Sequence, residues 1–247
     1  MLLTGAAQPA RAEDGDPISS PIVDLGLIAW DIYKSGKASP DQIVQFVRLV
    51  TGVLTDMENE VNAHADGIQA AEVLRQANSV RIEMLDYQSI RDNEFYIGDF
   101  AAKVLGFAQN ASGKYGAVDS RKAKDQIGLG GQVLYPITLT ARTDAGLRNG
   151  LGEINAEYRK LNERIVADLE PTCTRAGDPD PIPGQIVATY TCTAANGETA
   201  VATEFKVGDT WYSGPVDLPS LKLQAARNSS WAAAKRILAG QGNQGDR

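Results

Sequence analysis

The sequence predicts an α+β fold: an elongated antiparallel helical bundle, followed by a small three-stranded antiparallel β-meander and a C-terminal helix. Three observations predict it. Apolar residues recur at alternating spacings of four and three along two long stretches. After Pro171 this period gives way to strict alternation, and Asn196-Gly197 sits between two alternating runs as a hairpin turn would. With 247 residues, 43% of them hydrophobic, the chain can bury a core of its own in one large domain or two modest ones.

Taken in order, residues 1–12 read as the tail of a secretory signal peptide. Small residues end in Ala10-Arg11-Ala12, an A-x-A cleavage pattern that would start the mature chain at Glu13. No cationic stretch or long apolar run precedes it, which places the expected translation start upstream of Met1.

The helical bundle is expected over 13–170. Ser20-Pro21 before Ile22 and Ser39-Pro40-Asp41 before Ile43 put proline in the first turn of two helices, and Lys34-Ser35-Gly36-Lys37 stops the first. Ile43, Val47, Val50, Leu54, Met57 and Val61 form one apolar seam. Leu147, Leu151, Ile154, Tyr158, Leu161 and Ile165 form a matching one, so the two seams are expected to pack side by side. Ile68, Ala71, Leu74, Ile82 and Leu85 indicate helix continuing past Gly67, and Ile97, Val104, Ala108, Ala111 and Tyr115 another helix, weakened by Gly98, Gly106, Gly113 and Gly116. Segment 127–141 is apolar and uncharged; it is either a core helix kinked at Pro136 or a segment that moves.

A disulfide-stapled β-meander with the C-terminal helix is expected over 171–240, and a flexible tail over 241–247. Taking Asn196-Gly197 as a two-residue turn sets Cys192 opposite Val201, Tyr190 opposite Thr203, Ala188 opposite Phe205 and Ile186 opposite Val207, an almost wholly apolar face. The other face then holds Thr191/Ala202, Thr189/Glu204 and Val187/Lys206. A turn at Gly208-Asp209 returns Thr210-Trp211-Tyr212 as the third strand, with Tyr212 beside Phe205. The last helix begins near Asp217 or Ser220 and runs through Trp231 and Ile237 to Gly240.

Candidate sites are sparse. Cys173 and Cys192 bracket a proline-stiffened loop and are expected to pair as a structural disulfide contributing about 3 kcal/mol. Their spacing is not the C-x-x-C of a redox pair. Asp178 and Asp180 in that loop lack an EF-hand pattern and read as a solvated acidic turn. His64, the sole histidine, would have to serve any histidine-based mechanism, yet it lies at a seam position without a G-x-S-x-G motif. Carboxylate pairs such as Asp56/Glu60, Glu153/Glu157 and Asp92/Asp99 read as wet helix faces. Gly128-Leu-Gly130-Gly131 lacks the Lys-Ser/Thr of a phosphate loop, while Asn110 and Asn228 each begin an N-x-S acceptor pattern.

Charge is uneven. The chain carries net charge −7, but its last thirty or so residues hold Lys222, Arg227, Lys235, Arg236 and Arg247 against Asp246 alone. Lys222, Arg227, Trp231, Lys235 and Arg236 are therefore the candidate surface-binding residues, directed either at the acidic helical body, the favoured reading, or at an anionic surface. An acidic chain with one histidine and two cysteines argues against a nucleic-acid binder or zinc finger, and no apolar run reaches the ~20 residues a membrane helix needs. No cofactor or metal is expected. The expected function is that of an exported, non-enzymatic helical protein presenting an interaction surface at the cell envelope, to a protein partner or to an anionic envelope surface. The alternatives are a membrane-active, pore-forming-like protein that releases 127–141 and, weaker, a carboxylate-dependent hydrolase.

Overall fold

The computed structural model describes residues 19–64, 66–177, 182 and 184–243; the side chains at 59–64 and 243 lie outside the description. The expected signal remnant, the pair Asp178/Asp180 and the His64 imidazole therefore fall outside the described residues, as does the tail from 244 onward. The fold mixes helix and sheet. In order it runs α1 (Ser19–Ser35), α2 (Pro40–His64), α3 (Ile68–Leu85), α4 (Tyr87–Arg91), α5 (Glu94–Ala117), α6 (Arg121–Asp144) and α7 (Leu151–Asp168). There follow β1 (Thr172–Gly177), β2 (Gln185–Thr193), β3 (Thr199–Val207), β4 (Thr210–Ser213), α8 (Leu218–Ala225) and α9 (Ser230–Asn243).

Local chemistry sets many of these boundaries. Gly36 closes α1 at φ +69°, in the left-handed region that favours glycine. Ser39 and Gln42 cap α2 reciprocally: the Gln42 N–H donates to Ser39 Oγ at 3.2 Å and the Ser39 N–H to Gln42 Oε1 at 3.0 Å. Asn93 accepts from the Phe95 and Tyr96 amides to start α5, and Ser120 from the Ala123 amide to start α6.

Helix α6 is the axis of the helical body. Residues 125–141 are buried without interruption, and α1, α3, α5, α7 and α9 all pack on this helix. Segment 127–141 is thus an enclosed core helix that runs on through Pro136, with the Thr138 and Thr143 hydroxyls donating to the Leu134 and Leu139 carbonyls at 2.8 Å. Its glycines are contact points. A Cβ at Gly131 would lie 2.5 Å from Leu161 Cδ2, and one at Gly130 would lie 2.6 Å from Val73 Cγ1.

Several expectations need correction. The seam of α2 packs on α1 and α3 and that of α7 on α6 and α9, so the two do not lie side by side. A helix apolar all round competes for every neighbouring stripe, and α6 takes the central place. Helix does not continue past Gly67, whose φ of +93° breaks the chain before α3. The new helix buries Ala70, Val73, Leu74, Ala77, Val80 and Met84, which leaves Ile68, Ile82 and Leu85 exposed. The C-terminal helix is two: α8, capped by Asp217, and α9, separated at 226–229.

The sheet has four antiparallel strands in the order β1-β2-β3-β4, where three were expected, because 172–177 pairs with β2 and sets Cys173 directly opposite Cys192. The β2–β3 register differs by one residue from expectation: Cys192 faces Ala200, Tyr190 faces Ala202, Ala188 faces Glu204 and Ile186 faces Lys206. The turn explains it. The Gly197 N–H donates to Ala194 O at 3.1 Å, the Ala194 N–H to Glu198 O at 2.9 Å, and Gly197 takes φ +91°. This is a three-residue loop ending in a left-handed glycine, and such a one-residue slip moves every β3 side chain to the opposite face. Tyr212 does lie beside Phe205, with ring centroids 5.2 Å apart and the rings tilted by 33°.

Candidate functional site

The residues singled out from the sequence separate in space. Cys173 and Cys192 form the disulfide across β1 and β2. Lys222 Nζ lies 2.7 Å from Glu170 Oε1, and this hydrogen bond holds the Glu170 carboxyl below its ordinary value. Lys235 sits over the Trp231 ring at 4.8 Å, Arg236 reaches Ser20 Oγ at 3.4 Å, and Arg227 is exposed. Trp231 itself is only 2% exposed, and its indole N–H donates to Val166 O at 3.2 Å. Its large ring belongs to the core, where α9 docks on α1 and α7, so the five do not form one open basic patch.

The other candidates are placed as follows. Asp92, Asp99, Glu153 and Glu157 are exposed, so neither of these two pairs has a member shielded from water; Asp56 is exposed too, and the side chain of its partner Glu60 lies outside the described residues. Gly128 to Gly131 lie within α6 as packing residues. Asn110 donates to Gln76 at 2.9 Å and Asn228 to Glu198 at 2.7 Å. Among the described residues no cluster of three or more His, Cys, Asp or Glu is placed to hold a metal, and no helix is long and apolar enough to cross a membrane.

The sheet is fixed firmly to the helical body. Ala194 and Ala195 at the hairpin tip join the helical core, beside a cavity of about 170 Å³ lined by Asp125, Gln126, Asn196, Glu198 and Asn228. Asp125 Oδ1 accepts from the Ser230 amide at 2.8 Å and its hydroxyl at 2.7 Å, and Gln126 Oε1 accepts from the Asp66 amide at 2.9 Å. These polar groups are joinery between α6, the loop before α3 and the start of α9. On the inner face α8 covers Cys192 and Ala200 with Leu221 and Ala225. Glu204, 8% exposed, accepts there from the Tyr190 hydroxyl at 3.0 Å and from Arg175 at 3.4 Å.

The outer face carries no helix among the described residues. Register places Thr172, Thr193 and Thr199 in one row, Thr174, Thr191 and Val201 in the next, and Ala176, Thr189 and Thr203 in a third. Val187 and Phe205 follow, with Tyr212 against Phe205. Rows of this kind repeat about 4.8 Å across strands and about 7 Å along them. Val201 and Tyr212 are 58% and 66% exposed, and none of these residues is charged. The Thr172-Cys-Thr174 and Thr189-Tyr-Thr-Cys-Thr193 alternations carry this signal, but only the true register lines the threonines up.

A second feature is a groove of about 330 Å³ floored by α6 and walled by α5 and α7, which hardly touch each other. On its floor Tyr135 shares a 2.8 Å hydrogen bond with Ser112 Oγ, and its hydroxyl lies 3.3 Å from Glu157 Oε2. The sequence Ser–Tyr–Glu superficially matches nucleophile, base and orienter. Burial, only partly offset by the Ser112 hydrogen bond, pushes the Tyr135 hydroxyl up to about 12, so it holds its proton at neutral pH.

No known protein family, curated protein or solved structure matches this chain.

Proposed function

We propose that this is an exported, non-enzymatic binding protein of the cell envelope, in which a rigid helical body holds out the outer face of the β-sheet as its interaction surface. The observation that carries the reading is that face itself: uncharged rows of threonine ending in Phe205 and Tyr212, uncovered in a chain of which 22% is charged. An exposed, patterned, charge-free surface is where a partner gains contact area without desolvating ions. The basic side chains of α8 and α9 fit the reading less well, since Lys222 and Lys235 are engaged within the chain. Export is supported by the disulfide, which persists in oxidising compartments. The complete burial of 127–141 favours a fixed core over a released, membrane-inserting segment, and the exposed carboxylate pairs favour binding over hydrolysis.

Co-sedimentation of the purified protein with cell-envelope fragments from its native source tests the assignment. Wild type should pellet, and Val201→Asp or Thr203→Lys, both at exposed positions, should remain in solution while keeping the wild-type far-UV circular dichroism. Failure of wild type to pellet, or equal pelleting of the charged variants, overturns it.

A further inference from the structure

Independently of the sheet, we propose that the groove between α5 and α7 binds the free termini of a short, dipeptide-sized peptide. The argument starts from α7, where Glu157, Lys160, Leu161 and Arg164 recur at helical spacing and line one side. Glu157 sets a negative end. Lys160 and Arg164 set a positive one, at most about 10 Å further along the axis at 1.5 Å per residue. Neither Lys160 nor Arg164 forms an ion pair among the described residues, whereas Lys114 on α5 pairs with Glu72 and Lys124 on α6 pairs with Asp168. Arg164 is instead held half-buried over the Tyr115 ring at 5.1 Å, which presents its guanidinium without neutralising it.

The opposite wall is built for close approach. Gly113 on α5 meets nothing within 4 Å where a side chain would stand, and the nearest atoms to that place at Gly116 are the terminal atoms of Arg164. Ser112, hydrogen-bonded to the fixed Tyr135 hydroxyl, and Gln109 complete that wall with groups that can bond a peptide unit. A ligand that satisfies all of these carries an ammonium for Glu157, a carboxylate for Lys160 and Arg164, and an amide between. A simple anion would leave Glu157 unmatched, and a simple cation would leave the basic pair unmatched. Capture of a terminal carboxylate or a terminal amine is a recurring mode of peptide recognition, and the groove offers charge for each.

Titration of the full chain with diglycine, N-acetyl-diglycine and diglycinamide, followed by NMR chemical shifts of the Gln109 and Gly113 amides, tests this. Diglycine should saturate, and each blocked peptide should bind at least tenfold more weakly, as expected from losing one charge-assisted contact. Glu157→Gln should abolish the discrimination against the acetylated peptide while keeping that against the amide. Lys160→Gln, which leaves Arg164 in place, should weaken the discrimination against the amide while keeping that against the acetylated peptide, and because both positions are exposed the variants should keep the wild-type fold by circular dichroism. Absence of saturable shifts with diglycine, equal binding of the blocked forms, or the same response from both variants overturns the proposal. None of these results bears on the sheet.

Discussion

Replacing Gly131 by alanine should destabilise the protein, although the same change in an exposed helix is stabilising. Intrinsic helix propensity favours alanine by about 1 kcal/mol. The added methyl would stand 2.5 Å from Leu161 Cδ2, about 1 Å inside ordinary contact, and Leu161 is only 2% exposed, so it has no solvent to swing into. Overpacking of this kind costs about 1–3 kcal/mol. The net expectation is a loss of up to about 2 kcal/mol, read as a lower urea midpoint by far-UV circular dichroism with unchanged slope. Gly106→Ala, mid-helix in α5 and exposed with nothing within 4 Å, is the matched control and should gain about 0.5–1 kcal/mol. A double-mutant cycle sharpens the test. Leu161→Ala alone should cost about 2–5 kcal/mol, and the Gly131→Ala methyl should restore part of that by filling the space vacated. If Gly131→Ala proves as stable as Gly106→Ala, or if the cycle is additive within about 0.5 kcal/mol, the picture of α6 as the close-packed axis is wrong.

Three further outcomes are expected. Trp231→Ala should cost about 3–5 kcal/mol in chemical denaturation, as loss of a buried aromatic does, while Arg227→Ala on the adjoining surface should stay within about 0.5 kcal/mol; similar effects would contradict the buried position of the indole. Cys173→Ala/Cys192→Ala should lower stability by about 3 kcal/mol on chain-entropy grounds for a separation of 19 residues, and a melting temperature unchanged from wild type would count against the bridge. Asp144 accepts from the Tyr87 hydroxyl at 3.0 Å and faces Arg91, yet burial outweighs both and raises its carboxyl above the ordinary value near 3.8. The folded state then keeps a proton that the unfolded state has released, so this group's contribution declines as pH rises from that ordinary value through the raised one. Asp144→Asn, which cannot titrate, should therefore gain on wild type in parallel urea melts as the pH is raised from the ordinary value near 3.8 towards neutrality. A constant difference would show that the carboxyl is not raised.

The elements legible in the sequence were those whose cause is local. Ser39 and Gln42 cap α2, Gly36 ends α1, and Ile97, Val104, Ala108, Ala111 and Tyr115 all lie on the buried side of α5, because caps and helical periodicity act within a few residues. The break at Gly67 was misread because the apolar residues on either side still fit one helical period. The strand register was misread for a similar reason: Asn-Gly serves a two-residue turn and a three-residue loop alike, and the two differ by one position. From that slip came the loss of the threonine rows, which sit opposite one another only in the register with Thr193 facing Thr199. The groove was illegible for another reason, since Ser112, Tyr135 and Glu157 come from three helices whose relative rotation no local pattern records.

By itself the sequence determined that this chain makes amphipathic helices, then alternating strands joined through Cys173 and Cys192, since those features follow from periodicity, turn residues and spacing. Only the tertiary structure decided that α6 would be the axis, which β3 side chains would face water, and that Trp231 would lie within while Lys160 and Arg164 stand at a groove without an ion-pair partner among the described residues. Those outcomes depend on competition among many apolar surfaces for the same few neighbours, a choice settled when all the elements pack at once.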